Sequence, residues 1–343
     1  MEFIKLTNIC NPKQWKTIST TEFIENGKYN VYGANGIIGK TNYFNHEIPT
    51  LLLTCRGATC GSLHITQEKC YVNGNAMCLD NLSEKYNINF IYYYLKNYDM
   101  NKVISGTAQP QITISSLGKV LIPVIPIKLQ LEIVKELEKI EKLIKMQSKL
   151  LENLNEIVKS QFIEMFEDCK NYKLIGDTLT ICRGASPRPI SKFITSDEDG
   201  INWIKIGDVD ENSLYITSTE EKITNNGAEK SRRVKPGDFI LSNSMSFGRP
   251  YILGINGCVH DGWLILSNYD KVFNPLYLYH AIRDDEVQYQ FNGIANGATV
   301  RNLNSELVRN TNIKVPSIEL QNQFASFVEQ IDKSKYFGGV SYA

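Results

Sequence analysis

The residues best suited to chemistry in this chain are polar side chains that match base edges and phosphates, and they occur in two groups. The first group is Asn35, Lys40, Arg56, Asn73, Asn75, Gln109 and Gln111, and the second is Arg183, Arg188, Lys205, Asn243, Arg249, Arg301 and Asn302. Arg presents a fork of donors that fits guanine, and Asn and Gln present the donor–acceptor pair that fits adenine. Lys neutralises phosphate without reading sequence. Taken singly, each is an ordinary solvated loop residue; their recurrence in matching places of two halves makes the collective case. Arg56 precedes Gly57-Ala58-Thr59 and Arg249 follows Gly248, each beside an expected strand end where backbone can approach a ligand.

Catalytic constellations are not found, and no catalytic or metal-ligating residue is expected. Ala34-Asn35-Gly36-Ile37-Ile38-Gly39-Lys40-Thr41 fits a relaxed phosphate-loop pattern. A true loop of that kind opens a helix, whereas here the chain continues Asn42-Tyr43-Phe44-Asn45-His46-Glu47-Ile48-Pro49, so a glycine-turn hairpin is expected. Asn274-Pro275-Leu276-Tyr277 lacks the second proline of the amino-methyltransferase corner, and Asn cap followed by Pro at the first helical position is the plainer reading. His46, His64, His260 and His280 have no metallohydrolase spacing, and no G-x-S-x-G elbow occurs. The carboxylates lie in scattered runs such as Asp197-Glu198-Asp199. Eight cysteines (10, 55, 60, 70, 78, 169, 182, 258) contain no C-x-x-C knuckle and read as reduced thiols rather than zinc ligands.

These residues must be positioned by a chain of 343 residues that is 42% hydrophobic and 22% charged, enough for two or three domains and too apolar for disorder. No apolar run approaches the roughly 20 residues of a membrane span, and Met1-Glu2-Phe3-Ile4-Lys5 is unlike a signal peptide, so a soluble cytoplasmic protein is expected. Acidic and basic residues balance at 37 each, which argues against non-specific polyanion binding but not against a local basic face. Residues 1–125 carry 11 basic against 8 acidic side chains.

The strongest pattern lies in the middle. Ile133, Leu137, Ile140, Ile144, Leu151, Leu154, Val158 and Met165 step by fours and threes, with Gln147 and Gln161 interrupting the seam. Leu143, Leu150 and Ile157 widen that face, and no Gly or Pro falls between Ile127 and Asp168. About 40 residues at 1.5 Å each make a rod of roughly 60 Å. On either side, runs such as Thr50-Leu51-Leu52-Leu53 and Asp238-Phe239-Ile240-Leu241 read as strands, and Phe90–Leu95 and Leu276–Ile282 as short helices.

The halves resemble each other. A shift of 187 lays Gly61 on Gly248, Val72 on Val259, Asn81 on Asn268, Asn87 on Asn274 and Tyr92 on Tyr279. A shift of 191 then lays Gly106 on Gly297, Ile122 on Ile313 and Leu129-Gln130 on Leu320-Gln321. The expected fold class is α+β: two mixed α/β domains in pseudo-repeat, joined by a long coiled-coil-like helix packing antiparallel on a shorter C-terminal helix. The boundaries drawn are 1–125 for the first domain, 126–168 for the helix, 169–315 for the second domain, 316–336 for the C-terminal helix and 337–343 for a tail.

In these features the chain resembles the DNA specificity subunits of type I restriction-modification systems. The residues carrying the resemblance are Tyr32–Gly39, Arg56–Gly61, Ser105–Ile112, Ile122–Pro126 and Leu129–Val134, repeated in part at Asn296–Thr299 and Lys314–Gln321. It covers about residues 3–335. The resemblance implies two target-recognition domains, each reading one half of a bipartite site in double-stranded DNA, with the helical spacers packed antiparallel. It also implies a non-catalytic subunit that docks methyltransferase subunits, which hold S-adenosylmethionine, with a restriction subunit as a further partner. No cofactor is expected on this chain.

One departure is expected to matter. Ile318, Leu320, Phe324, Phe327-Val328 and Ile331 give way to Lys335-Tyr336-Phe337-Gly338-Gly339, so the second spacer spans about 18 residues, roughly 27 Å. The seam of the first helix from about Leu151 to Met165 is then expected to be bare and to be covered by self-association or by methyltransferase docking. Two other readings stay open: an autonomous DNA-modifying enzyme, and a coiled-coil scaffold whose loops bind protein.

Overall fold

The structure, a computed structural model, describes residues 2–74, 76–106, 109–209, 213–243, 247–293 and 303–337. The chain divides into two compact units, Met1–Met146 and Gln147–Ala343, with the division falling inside one long helix, Ile127–Phe166. That helix is unbroken for 40 residues, as its lack of Gly and Pro allows. Among the described residues no helix is long and apolar enough to cross a membrane.

In the first unit the central sheet is antiparallel, ordered Asn11–Gln14, Ala76–Asp80, Leu51–Thr54, Leu63–Ile65. Leu51-Leu52-Leu53 is buried on both faces, which is why it reads as a continuous apolar run rather than an alternating one. Leu51 and Leu53 face a core with Met77, Leu79, Phe90, Ile91 and Leu95, which the start of the long helix closes through Val134. Leu52 points the other way, toward Val72 and Cys78. A smaller sheet, Gly36–Thr41, Tyr29–Gly33, Tyr71–Val72, carries the hairpin expected in place of a phosphate loop. The N-terminal strand Phe3–Lys5 pairs with Leu121–Pro123, which leads into the long helix.

The second unit repeats this plan. Thr180–Arg183, Trp263–Ser267, Phe239–Ser242 and Pro250–Leu253 stand in the same order as their counterparts, with Tyr215–Ile216 added in parallel at the edge. The strand pair Tyr172–Leu174 with Asn312–Lys314 matches Phe3–Lys5 with Leu121–Pro123. Even the unusual backbone recurs: Asn81 and Asn268 have φ of 52° and 59°, and Gly61 and Gly248 have φ of 98° and 73°. The helices Ile88–Lys96 and Pro275–Arg283 are capped alike, by Asn87 and Asn274 side chains that accept from N–H groups of the first turn. The second unit departs in its other sheet, which has five short strands (194–195, 221–223, 201–204, 257–259, 232–234) where the first has three.

The bare stretch of the long helix is not where the sequence places it. The C-terminal helix Ile318–Phe337 runs back along the last turns of the long helix, so that Phe324 meets Phe162 and Phe166 while Val328, Asp332 and Lys335 share a cleft with Asn155, Glu156 and Val158. Val158, Phe162 and Phe166 are therefore buried. The exposed stripe is instead Ile140, Leu143, Ile144, Met146 and Leu150, each more than half exposed. The physical reason is direction: an antiparallel helix that begins beside Phe166 covers the end of its partner first.

Candidate nucleic-acid interface

In the first unit three loops converge. Asn35 sits at the tip of the hairpin, where Gly36 has φ of 105°, and its Oδ1 accepts from the Thr59 hydroxyl at 2.6 Å. Arg56 forms a β-bridge with Gln111, supported by Gly57 N–H donating to Pro110 O and Ile112 N–H to Cys55 O. Gly106, at φ of 85°, lets the Gln109 carbonyl approach to where a Cβ would stand 2.6 Å from its oxygen. Asn35, Arg56, Gln109 and Gln111 are all exposed on these loops. Lys40 is exposed further along the strand Gly36–Thr41, on which Ile37 and Ile38 also face outward.

Asn73 is a correction. It is buried, its Oδ1 accepts from Gly74 N–H at 2.8 Å and its amide is directed at Ile18 O, so it shapes the turn rather than presenting an edge. Asn75 lies outside the described residues.

In the second unit one residue, Asp261, gathers three of the candidates, Arg183, Arg188 and Asn243. Asp261 Oδ1 accepts from the Ser186 hydroxyl at 2.6 Å, and Oδ2 from Arg188 Nη2 at 3.1 Å. The backbone oxygen of Asp261 accepts from Arg183 Nε and from Asn243 Nδ2, both at 2.9 Å. The Ser186 hydroxyl, with help from Arg188, holds the Asp261 carboxyl below the usual carboxylate range. Asn243, like Asn73, is buried and serves the fold. Lys205 reaches Glu221 at 3.1 Å. Arg188 and Lys205 line a cleft of about 850 Å³ with Pro187, Ile190, Trp203, His260 and Asp261. His260 faces two backbone donors, Ile206 N–H at 3.1 Å and Gly262 N–H at 2.7 Å, and its burial lowers its pKa. Arg249 is half-buried next to the strand end, its backbone N–H donating to the Ser242 hydroxyl. Arg301 and Asn302 lie outside the described residues.

Asp261 and Ser186 were not among the expected site residues. The available signal was positional: Asp261 stands immediately before Gly262 and the strand Trp263–Ser267, opposite the end of Thr180–Arg183. Among the described residues one group, His46, Cys78 and Asp80, has metal-ligand composition. Its Asp80 carboxylate already accepts from Trp15 Nε1 at 2.9 Å and pairs with His46 Nε2 at 3.0 Å, and burial pushes the Cys78 thiol up, away from the thiolate a metal needs.

The first unit also carries an apolar groove. Phe90, Tyr93, Ile133, Leu137 and Ile140 line a volume of about 770 Å³, edged by Lys96, which pairs with Glu141 at 2.8 Å. The counterparts of Phe90, Tyr93 and Ile133 in the second unit are Tyr277, His280 and Phe324, and these three surround Phe162 of the long helix. What is a filled helix socket in one unit is an open one in the other.

The family model for the type I restriction modification DNA specificity domain matches residues 1–156 and again 167–336. A Haemophilus influenzae protein assigned as a type I restriction enzyme specificity subunit is 25% identical over 346 residues, covering 96% of this chain and 86% of its own length. The crystal structure of a type I restriction-modification S subunit from M. genitalium superposes with a TM-score of 0.62 at 15% identity, covering 98% of this chain and 91% of that one. A second structure, from work on complex assembly and conformational transition of the type I system, gives a TM-score of 0.58 at 14% identity over 98% and 92%. The likeness to both structures is one of fold.

Proposed function

The chain belongs to the type I restriction-modification DNA specificity family, and from that membership we propose that each of its two units reads one half of a bipartite duplex site. The protein is the DNA-specificity component of such a system, a recognising rather than a catalysing subunit, and it works in assembly with other subunits. The observation that carries the finer reading is the repeated frame: one strand order and one set of helix caps occurs twice, while the loops it presents differ. A shared scaffold with divergent exposed loops suits two modules that recognise different half-sites.

The partners are methyltransferase subunits, which bring S-adenosylmethionine and transfer its methyl group to adenine, with a restriction subunit joining them, in the cytoplasm. The open socket around Tyr93 and Leu137, continuous in sequence with the exposed residues Ile140, Leu143, Ile144 and Met146, supports helix docking as the mode of assembly. A methyltransferase helix and a second copy of this chain are the two occupants to be distinguished.

The test is co-expression with the methyltransferase subunit of the same genome, followed by methylome sequencing. A split methyladenine motif with a fixed gap, lost when this chain is omitted, is the expected result. A stable complex without any motif would refute sequence reading, and an intact chain that forms no complex would favour a scaffold with protein-binding loops.

A further inference from the structure

We propose that Asp261 is the positioning residue of the second unit's reading site, and that it sets Arg188 to take the N7/O6 edge of a guanine in that half-site. The inference rests on the DNA-reading role proposed above.

A carboxylate on a surface that meets phosphates repels them, so Asp261 lowers general affinity for DNA. Its bonds instead tie together three strand ends. Arg183 closes Thr180–Arg183, Asn243 follows Phe239–Ser242, and Asp261 itself precedes Trp263–Ser267. The backbone oxygen holds Arg183 and Asn243, while the side chain holds Ser186 and Arg188. The two functions are separable by substitution, because Asn at this position keeps the backbone oxygen and an acceptor for Ser186 but loses the charge that Arg188 pairs with.

Arg188 is the side chain with the most to gain from being held. It is 80% exposed and its Asp261 contact engages one terminal nitrogen, Nη2. Pro187 and Pro189 flank it and restrict its backbone. An arginine with a stiff backbone and an anchored fork loses little freedom on meeting a base, and the fork geometry of guanidinium selects guanine among the four bases. An ion pair this exposed adds little to folding, and the same weakness limits Asp261 to biasing where the Arg188 fork points. The cleft beside it, walled by Pro187, Ile190 and Ile206, leaves space for the edge of a base pair.

The experiment measures duplex binding by the co-expressed complex with its methyltransferase subunit, using a panel that varies every position of the methylome-defined motif. In Asp261→Asn, discrimination at one guanine of the second half-site falls about two- to fivefold, the most that so exposed a pair can contribute by holding Arg188, discrimination across the first half-site is unchanged, and random duplex binds more tightly, with the salt dependence steeper by about one ion. Arg188→Lys gives a larger loss at the same guanine, about tenfold or more, with random-duplex affinity unchanged, because charge is kept and the fork is lost. Full discrimination in both variants, or a loss spread equally over both half-sites, would overturn the assignment. A wild-type complex that binds duplex with no split preference would overturn the reading of DNA itself, and this inference with it. Circular dichroism melts of both variants, expected to match wild type, separate the outcome from misfolding.

Discussion

Gln130 and Gln321 make the same three hydrogen bonds in the two units. Gln130 Oε1 accepts from Asn87 N–H, and its amide donates to Lys85 O and Ile125 O, all at 2.9 Å. Gln321 Oε1 accepts from Asn274 N–H at 2.8 Å, and its amide donates to Val272 O at 3.1 Å and Pro316 O at 3.0 Å. Both side chains are fully buried. Each glutamine ties the cap of a short helix to the strand exit and to the first turn of the helix that carries it.

Replacing either glutamine by Leu keeps the volume and strands one buried N–H and two carbonyls. The expected cost is about 2–5 kcal/mol, read as a lower urea midpoint. Gln130→Leu and Gln321→Leu should each affect hydrogen-exchange protection mainly in their own unit.

Phe162→Ala empties the socket formed by Tyr277, His280 and Phe324. A loss of about 3–5 kcal/mol is expected. Limited proteolysis should then cut the C-terminal helix Ile318–Phe337, while the first unit stays protected.

Arg56→Ala removes an exposed guanidinium fork from a residue whose backbone is pinned at the bridge with Gln111. If it reads a base, discrimination in one half-site falls by about 1–3 kcal/mol and the other half-site is untouched. An equal loss on all duplexes, with a shallower salt dependence, would identify a phosphate contact instead.

Leu137→Asp places a charge in the open groove of the first unit. Assembly with the other subunits is expected to fail on size-exclusion chromatography, while duplex binding by the isolated chain and its melting temperature change little. Unimpaired assembly would remove the groove from the docking surface.

Acid should loosen the second unit. His280 packs against Phe324 and Tyr279, and burial, with Arg283 and Lys335 adding to it, lowers its pKa to about 3. Below the unfolded histidine value of about 6.5 the unfolded chain takes up a proton that the folded chain refuses. Stability is therefore full above that pH and falls as pH drops toward 3, by at most about 1.4 kcal/mol per pH unit, and by less because the ring is only partly buried. His280→Phe should flatten this part of a pH–urea profile.

The frame was legible because repetition and periodicity are local properties of sequence. Asn87 and Asn274 announce helix caps, and the three-leucine run 51–53 announces a fully buried strand. The hairpin at Asn35 was legible from its downstream residues, since Asn42-Tyr43-Phe44 does not open a helix. The bare segment of the long helix was placed wrongly because length alone does not say from which end an antiparallel partner starts; Phe324 against Phe166 decides that. Side-chain burial was equally hidden. Asn73 and Asn243 have the composition of base readers, but each lies where a strand exit needs its amide. The role of Asp261 is hidden for the converse reason, since an acidic residue looks out of place at a phosphate-facing surface until its partners are known.

The strand order that recurs with different loops has a consequence on the scale of populations. When folding depends on contacts inside each repeat, such as those of Gln130 and Gln321, genetic exchange can replace one set of loops without renegotiating the rest of the protein. A lineage holding a few alternative versions of each half can then combine them pairwise, so its repertoire of addresses multiplies while each new chain inherits a scaffold already known to fold.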